Sequence, residues 1–237
     1  MNKKINSLLL IFATAGLLLS ACGGNKTSSS PSSSASSSES SSESSSESSS
    51  ETSSDTSSST SVAPVWHDYS HDGSVSLGLD YTGKDFFKDG IEKVELKTCI
   101  DGDTAHFITA SGTVLKARFY GIDTPESTGK VQPWGKAASK FTKEKLQQAA
   151  KNGTVVISSP THTYEPPQPD STGERYVSLV WINENVKNAS YDSLILVNLD
   201  IVQEGLSWVK NVNVFPEYED TFYAAEQQAK DFKLKLH

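Results

Sequence analysis

The sequence predicts an α+β domain, a five-stranded OB-type β-barrel with about three packed helices, preceded by a disordered Ser-rich linker. Three observations predict it. Strand-like runs dominate residues 94–120 and return at 155–157 and 176–182, helical periodicity appears between and after them, and a long serine tract with almost nothing to bury stands in front.

In chain order, residues 1–21 read as an export signal: Lys3 and Lys4 give a positive start, and the apolar run 8–19 is too short for a comfortable membrane span. It ends in Leu19-Ser20-Ala21-Cys22, which resembles the lipobox of bacterial lipoproteins, with Cys22 as the acylated mature N-terminus. A lipid there leaves Cys99 without an intramolecular disulfide partner, so packing must supply the stability. Cys99 sits in a strand-like run and reads as a buried, unreactive thiol. Residues 22–62 form the lipidated cysteine and linker, where Glu39, Glu43, Glu47, Glu51 and Asp55 interrupt serine. Such a chain cannot recover its ordering entropy, and as a flexible coil it would span on the order of 35 Å. Residues 63–91 hold Trp66, Tyr69, Tyr81, Phe86 and Phe87 without a clear period and read as an N-terminal extension to the domain at 92–237.

Within that domain, Val94-Glu95-Leu96-Lys97-Thr98 alternates with period two, and strand formers recur at 105–109, 114–120, 155–157 and 176–182. Ser111-Gly112 is a hairpin turn signal, so the first three strands form a meander. Trp134, Ala138, Phe141, Leu146 and Ala149 mark a helix, with Pro133 in its first turn and Asn152-Gly153 as its stop. Leu199, Val202, Leu206 and Val209 mark a second helix, and Phe222, Ala225, Ala229, Phe232 and Leu236 a third. Residues 158–174, with Pro160, Pro166, Pro167 and Pro169, read as a stiff surface loop.

Charge narrows the function. The chain carries 21 basic and 29 acidic side chains; setting aside Lys3, Lys4, Lys26 and the five linker acids leaves 18 against 24. A protein that binds nucleic acid through a broad basic footprint is excluded. Any such chemistry needs a local cationic site and a metal.

Three stretches concentrate suitable polar groups: Ile100-Asp101-Gly102-Asp103-Thr104, then Arg118-Phe119-Tyr120-Gly121-Ile122-Asp123-Thr124-Pro125-Glu126, then Gly173-Glu174-Arg175-Tyr176-Val177. Singly, each has an ordinary explanation: an Asp-Gly hairpin turn, a strand ending in a cap-like Thr-Pro-Glu turn, and a surface charge at a strand start. Together they supply two carboxylates that can share a hard divalent cation, a third that can orient water, and two guanidinium forks for phosphate oxygens. That is the equipment of metal-assisted phosphodiester hydrolysis. The histidines at 67, 71, 106, 162 and 237 show no zinc-ligand spacing; His106 reads as structural or at the site's edge.

These motifs, followed by Trp134-Gly135-Lys136-Ala137-Ala138 and by the stretch 197–209 reading VNLDIVQEGLSWV, resemble the staphylococcal nuclease (thermonuclease) family over residues 92–236. The resemblance implies calcium held by Asp103, Asp123 and the main-chain carbonyl of Thr124, phosphate clamped by Arg118 and Arg175, and Glu126 orienting or deprotonating the attacking water. It implies DNA and RNA as substrates, with 3′-phosphate and 5′-hydroxyl ends as products. The alternative is a catalytically silent nucleic-acid-binding module, which the presence of all five catalytic-type side chains argues against. With the lipid anchor, the expected setting is the extracellular face of the membrane, and the expected state a monomer.

The segment before the last strand, Asp170-Ser171-Thr172-Gly173-Glu174-Arg175, departs from the family pattern: it is one residue longer and lacks a tyrosine. Glu174 is expected to pair with Arg175. Between Glu126 and Trp134 there is a single lysine, Lys130, so calcium and the two arginines are expected to carry nearly all phosphate recognition. Asp101 serves either the turn or the outer shell of the metal.

Overall fold

A computed structural model describes residues 63–237 except positions 72, 74, 162 and 215; the expected export signal, Cys22, most of the linker and His162 lie outside the described residues. A one-turn helix α1 (Phe86–Asp89), capped by the Asp85 carboxylate accepting from the Phe87 N–H at 3.0 Å, leads into β1 (Ile91–Lys93) and β2 (Glu95–Asp101). There follow β3 (Thr104–Ile108), β4 (Val114–Phe119), β5 (Ile122–Asp123), α2 (Gly135–Asn152), β6 (Thr154–Ser158) and β7 (Tyr176–Asn183). The chain ends with β8 (Ile195–Leu196), α3 (Val197–Gln203), β9 (Trp208–Val209) and α4 (Glu219–Asp231). This is an α+β domain with a mixed sheet and three helices longer than one turn, as the sequence predicts.

Seven strands form one sheet in the order β1-β6-β7-β4-β3-β2, with β8 added to β7; β5 and β9 pair separately. The expected meander is β2-β3-β4, antiparallel throughout. β4 and β7 run parallel, with Arg118 opposite Val177, and this one parallel ladder shapes the site. β1 and β2, the two ends of the path, are consecutive in the chain with only Val94 between them. In β3 and β4 the buried residues alternate, Ala105 and Phe107 against Leu115, Ala117 and Phe119, leaving His106, Lys116 and Arg118 off the core face. β6 is buried at every position and β7 through its centre, because both faces are covered.

The expected extension is part of the packing. Val75, Leu77, Tyr81 and Phe86 join the core, and the buried Glu92 carboxylate accepts from the Phe86 and Ala110 N–H groups at 2.9 and 2.7 Å, tying α1 to the β3–β4 connection. An unpaired buried carboxylate would be costly, so these bonds hold three segments together.

Three boundaries differ from expectation. The second helix stops at Gln203 instead of reaching Val209, because Gly205 adopts φ +64° and a Cβ there would stand 2.7 Å from the Leu234 Cβ. Trp208 and Val209 consequently form a strand, pairing with Asp123 and Ile122. The third helix ends at Asp231, and the following chain turns back so that the Leu236 N–H donates to the Gly205 carbonyl at 3.1 Å. Pro133 precedes α2 without entering it: Trp134 is the N-cap residue, in the left-handed region at φ 65°. Cys99 is half-buried, and burial pushes its thiol up to about 11, which leaves it unreactive at neutral pH as expected.

Candidate active site

Asp101 and Thr104 pair across β2 and β3, so Gly102 and Asp103 are the two residues of a tight hairpin turn. The hairpin turn expected at this motif is formed, and Asp103 is its second residue. The Asp101 carboxylate accepts from the Gly102 N–H at 2.8 Å and from the Ser127 N–H at 3.3 Å, which attaches the turn to the segment carrying Glu126. Buried Thr142 of α2 donates its hydroxyl to the Gly102 carbonyl at 2.6 Å. Asp103, only 5 % exposed, is thus fixed from both sides.

The Asp103 carboxylate accepts from the Thr104 hydroxyl at 3.0 Å and the Thr124 N–H at 2.9 Å and also meets Arg118, while the Asp103 carbonyl accepts from the Phe119 N–H at 2.8 Å. Arg118, placed beside Thr104 by the β3–β4 register, reaches Asp103 with one terminal nitrogen and Asp123 with the other at 2.8 Å. One guanidinium spans both carboxylates. Oxygens of both carboxylates thus converge on one guanidinium. Burial pushes the Arg118 guanidinium below its ordinary pKa; the Asp123 carboxylate opposes this, Arg175 adds to it, and Glu126 opposes it. Glu126 and Arg175 are therefore within electrostatic reach of the same guanidinium.

Asp123 belongs to β5. Its N–H donates to the Ser207 hydroxyl at 3.0 Å, and its second carboxylate oxygen meets Lys210 Nζ at 2.7 Å. The turn before it is pinned by Asn198 of α3, fully buried, whose amide donates to the Tyr120 and Ser178 carbonyls at 2.9 and 3.2 Å while its oxygen accepts from the Val180 N–H. Glu126 lies on an exposed loop closed by Gln132: the Glu126 N–H donates to the Gln132 side-chain oxygen at 2.8 Å, and the Gln132 N–H returns to the Glu126 carbonyl at 2.9 Å. Gly135, at the start of α2, packs against this loop so closely that a Cβ would lie 2.1 Å from the Glu126 carbonyl oxygen. That contact explains a glycine in the first turn of a helix, where it weakens helix formation.

Arg175 enters from the other side, immediately before β7, and the parallel β4–β7 pairing brings it to the strand ends that carry Arg118. Its partner is Asp170 and not Glu174: Nε and one terminal nitrogen both meet the Asp170 carboxylate at 2.8 Å, while Glu174 pairs with Lys116 at 2.8 Å. The backbone explains this. The Asp170 N–H bonds the Arg175 carbonyl, closing the six-residue turn and putting the two side chains on one side, whereas neighbours in sequence diverge. Burial raises the Asp170 pKa, but hydrogen bonds from Thr172 and Arg175 outweigh it and hold the carboxyl below its ordinary value. His106 lies opposite Lys116; burial, Lys116 and Lys97 all push its pKa down, so it is neutral at neutral pH and adds no cation to the site.

A cleft of about 650 Å³ opens beside Arg118, bordered by Tyr120, Pro160, Pro166, Val177 and Lys210. All six sequence-predicted site residues, Asp103, Arg118, Asp123, Thr124, Glu126 and Arg175, lie on the segments just described. Lys210, Asp170, Asn198, Ser207 and Gln132 were not anticipated. Lys210 was hidden because the segment just before it was expected to be helix and not the strand that pairs with Asp123, and the others because their partners are distant in sequence or across a loop.

The oxygen donors suit a hard divalent cation. Among the described residues no group of three or more His, Cys, Asp or Glu side chains could hold a metal, so the two converging carboxylates would need backbone oxygen and water to complete a coordination shell. Thr124, directly after Asp123 and bonded to Asp103, has the backbone to supply one.

The chain is 30% identical over 148 residues to the thermonuclease of Staphylococcus intermedius, covering 61% of this chain and 76% of that protein. It is 30% identical over 140 residues to the thermonuclease of Staphylococcus hyicus, covering 58% and 70%. An uncharacterized protein of Methanocaldococcus jannaschii is 28% identical over 156 residues, covering 58% and 67%. Residues 116–236, which include Arg118, Asp123, Thr124, Glu126, Arg175 and Lys210 but not Asp103, match the model of the staphylococcal nuclease homologue family. The chain belongs to the staphylococcal nuclease family.

Proposed function

We propose that this protein is an extracellular calcium-dependent nuclease that hydrolyses DNA and RNA phosphodiester bonds to 3′-phosphate and 5′-hydroxyl ends. The observation that carries this reading is the single guanidinium of Arg118 bridging Asp103 and Asp123, which means that two carboxylates and a phosphate-binding fork meet at one point. Asp103, Asp123 and the Thr124 carbonyl would hold calcium, which would supply concentrated positive charge to a bound phosphate. Arg118 and Arg175 then hold the phosphate oxygens and stabilise the added negative charge of the five-coordinate phosphorus, and Glu126 orients the attacking water and accepts its proton. The cleft beside Arg118 has the size and the partly apolar wall to receive a nucleotide next to that phosphate.

Two structural readings go with it. The joining of β1 to β2 through Val94, with the path β2-β3-β4-β7-β6-β1 between them, supports a closed five-stranded barrel of the OB type, in which β1 and β2 are one bent strand. The Leu19-Ser20-Ala21-Cys22 motif supports a lipid on Cys22, holding a monomeric nuclease on the outer face of the membrane. Labelled palmitate should enter the full chain and not its Cys22→Ser variant; equal labelling would remove the anchor from this picture.

The function is tested with the detergent-solubilised full chain on single-stranded DNA and on RNA. Cleavage is expected in calcium and abolished by chelator, and end-group analysis should find 3′-phosphates. Cleavage that continues unchanged in chelator would exclude the mechanism.

A further inference from the structure

The two carboxylates have counter-charges of their own. Asp103 and Asp123 carry two negative charges, and two cations answer them: Arg118 across both carboxylates and Lys210 on the outer oxygen of Asp123 at 2.7 Å. The Lys210 side chain is 55 % exposed and borders the cleft that also contains Arg118. Its backbone is held independently, since the Lys210 N–H donates to the Gly121 carbonyl at 2.9 Å beyond the β5–β9 ladder. The side chain is therefore free to leave Asp123 without disturbing the strand. The other nearby cations are differently placed: Arg175 is engaged by Asp170 and Lys116 by Glu174.

We propose that Lys210 is a positioning cation that pairs with Asp123 and, when calcium takes that carboxylate, swings into the cleft to hold a substrate phosphate next to the scissile one. This rests on the nuclease reading above. The physical argument is charge balance. A dication on the two carboxylates makes Arg118 and Lys210 surplus, and two surplus cations at the rim of one cleft form a site for a polyanion. Lys210 thereby opposes calcium binding when substrate is absent and favours it when substrate is present, because the released ammonium gains a phosphate. Flexible, point-charge lysine suits such an exchange better than the planar fork of arginine.

The experiment compares the full chain with Lys210→Met and Lys210→Arg. Calcium binding without nucleic acid is measured by titration calorimetry, with Asp103→Asn as a reference for loss of the site. Lys210→Met is expected to bind calcium roughly two- to fivefold more tightly, the scale of a lost competing surface ion pair, and Lys210→Arg to stay near wild type. Single-stranded DNA binding, read in calcium on the Glu126→Gln background to prevent cleavage, should show a log–log salt slope shallower by about 0.7 for Lys210→Met, one ionic contact fewer. On the active background KM for DNA should rise severalfold with kcat little changed. A merely structural lysine would alter neither calcium affinity nor the salt slope. Wild-type calcium affinity in Lys210→Met, with binding intact and Asp103-dependent, overturns this inference alone; a wild-type chain that binds no calcium overturns the nuclease reading and this inference with it.

Discussion

Arg118→Ala is expected to lose nuclease activity by about 10²–10³-fold, the cost of removing one preorganised donor to developing charge. It should also become less stable, and by an amount that depends on calcium. In chelator the substitution leaves the Asp103 carboxyl almost fully buried and without its cation, while Asp123 retains Lys210. Breaking a fully buried pair costs about 3–5 kcal/mol; Arg118 and Asp123 are partly solvated, so about 2–3 kcal/mol is expected here. Calcium should return much of that loss, because a dication satisfies the same two carboxylates, and ligand at a hundred times its Kd adds about 2.7 kcal/mol to the native state. The measurement is urea unfolding of wild type and variant in chelator and in calcium. An equal stability gap in the two conditions would show that Asp103 and Asp123 do not share a cation.

Glu126→Gln is expected to lower kcat by about 10²–10⁴-fold, the range for removing a general base. Calcium affinity and stability should change little. The side chain is exposed, and the loop is held through backbone groups: the Glu126 N–H and carbonyl both bond Gln132, and the Ser127 N–H bonds Asp101. The substitution keeps shape and removes only the proton acceptor. Single-turnover cleavage beside calorimetric calcium binding separates the two effects. Full activity in the glutamine variant would take Glu126 out of the chemistry.

The two substitutions divide the site's labour. Arg118 contacts both carboxylates proposed to hold calcium and is itself the proposed phosphate clamp, so its loss should reach binding, stability and rate together. Glu126 stands on a loop whose position Gly135 and Gln132 determine, so its loss should reach the rate alone. The acidic domain is less of an obstacle than its charge suggests. On the proposed reading binding would depend on a few cations at one cleft, which Arg118 and Lys210 both border.

Much was legible because it is local. Period-two runs marked the meander strands, an apolar stripe marked α2, and Arg118, Asp123, Thr124 and Glu126 come within nine residues of one another, so their proximity needs no fold to establish it. The miscounted helix shows the limit. Leu199, Val202, Leu206 and Val209 have helical spacing and three of them are buried, but they are buried by a short helix, a glycine turn and a strand in succession. Periodicity reports which residues face the core, and more than one backbone can satisfy it.

By itself, then, the sequence determined the class of the fold, the acidic balance, and the kinds of side chain available for phosphodiester chemistry. Tertiary structure decided which of them meet. Only the parallel pairing of β4 with β7 brings Arg175 to Arg118, only the turn at Gly205 converts Trp208 and Val209 into the strand that delivers Lys210 to Asp123, and only the closed turn from Asp170 gives Arg175 that partner in place of Glu174. The reason is range. Propensity and burial pattern act over a few residues, whereas ion pairs form between groups that long-range packing brings to within about 4 Å of each other.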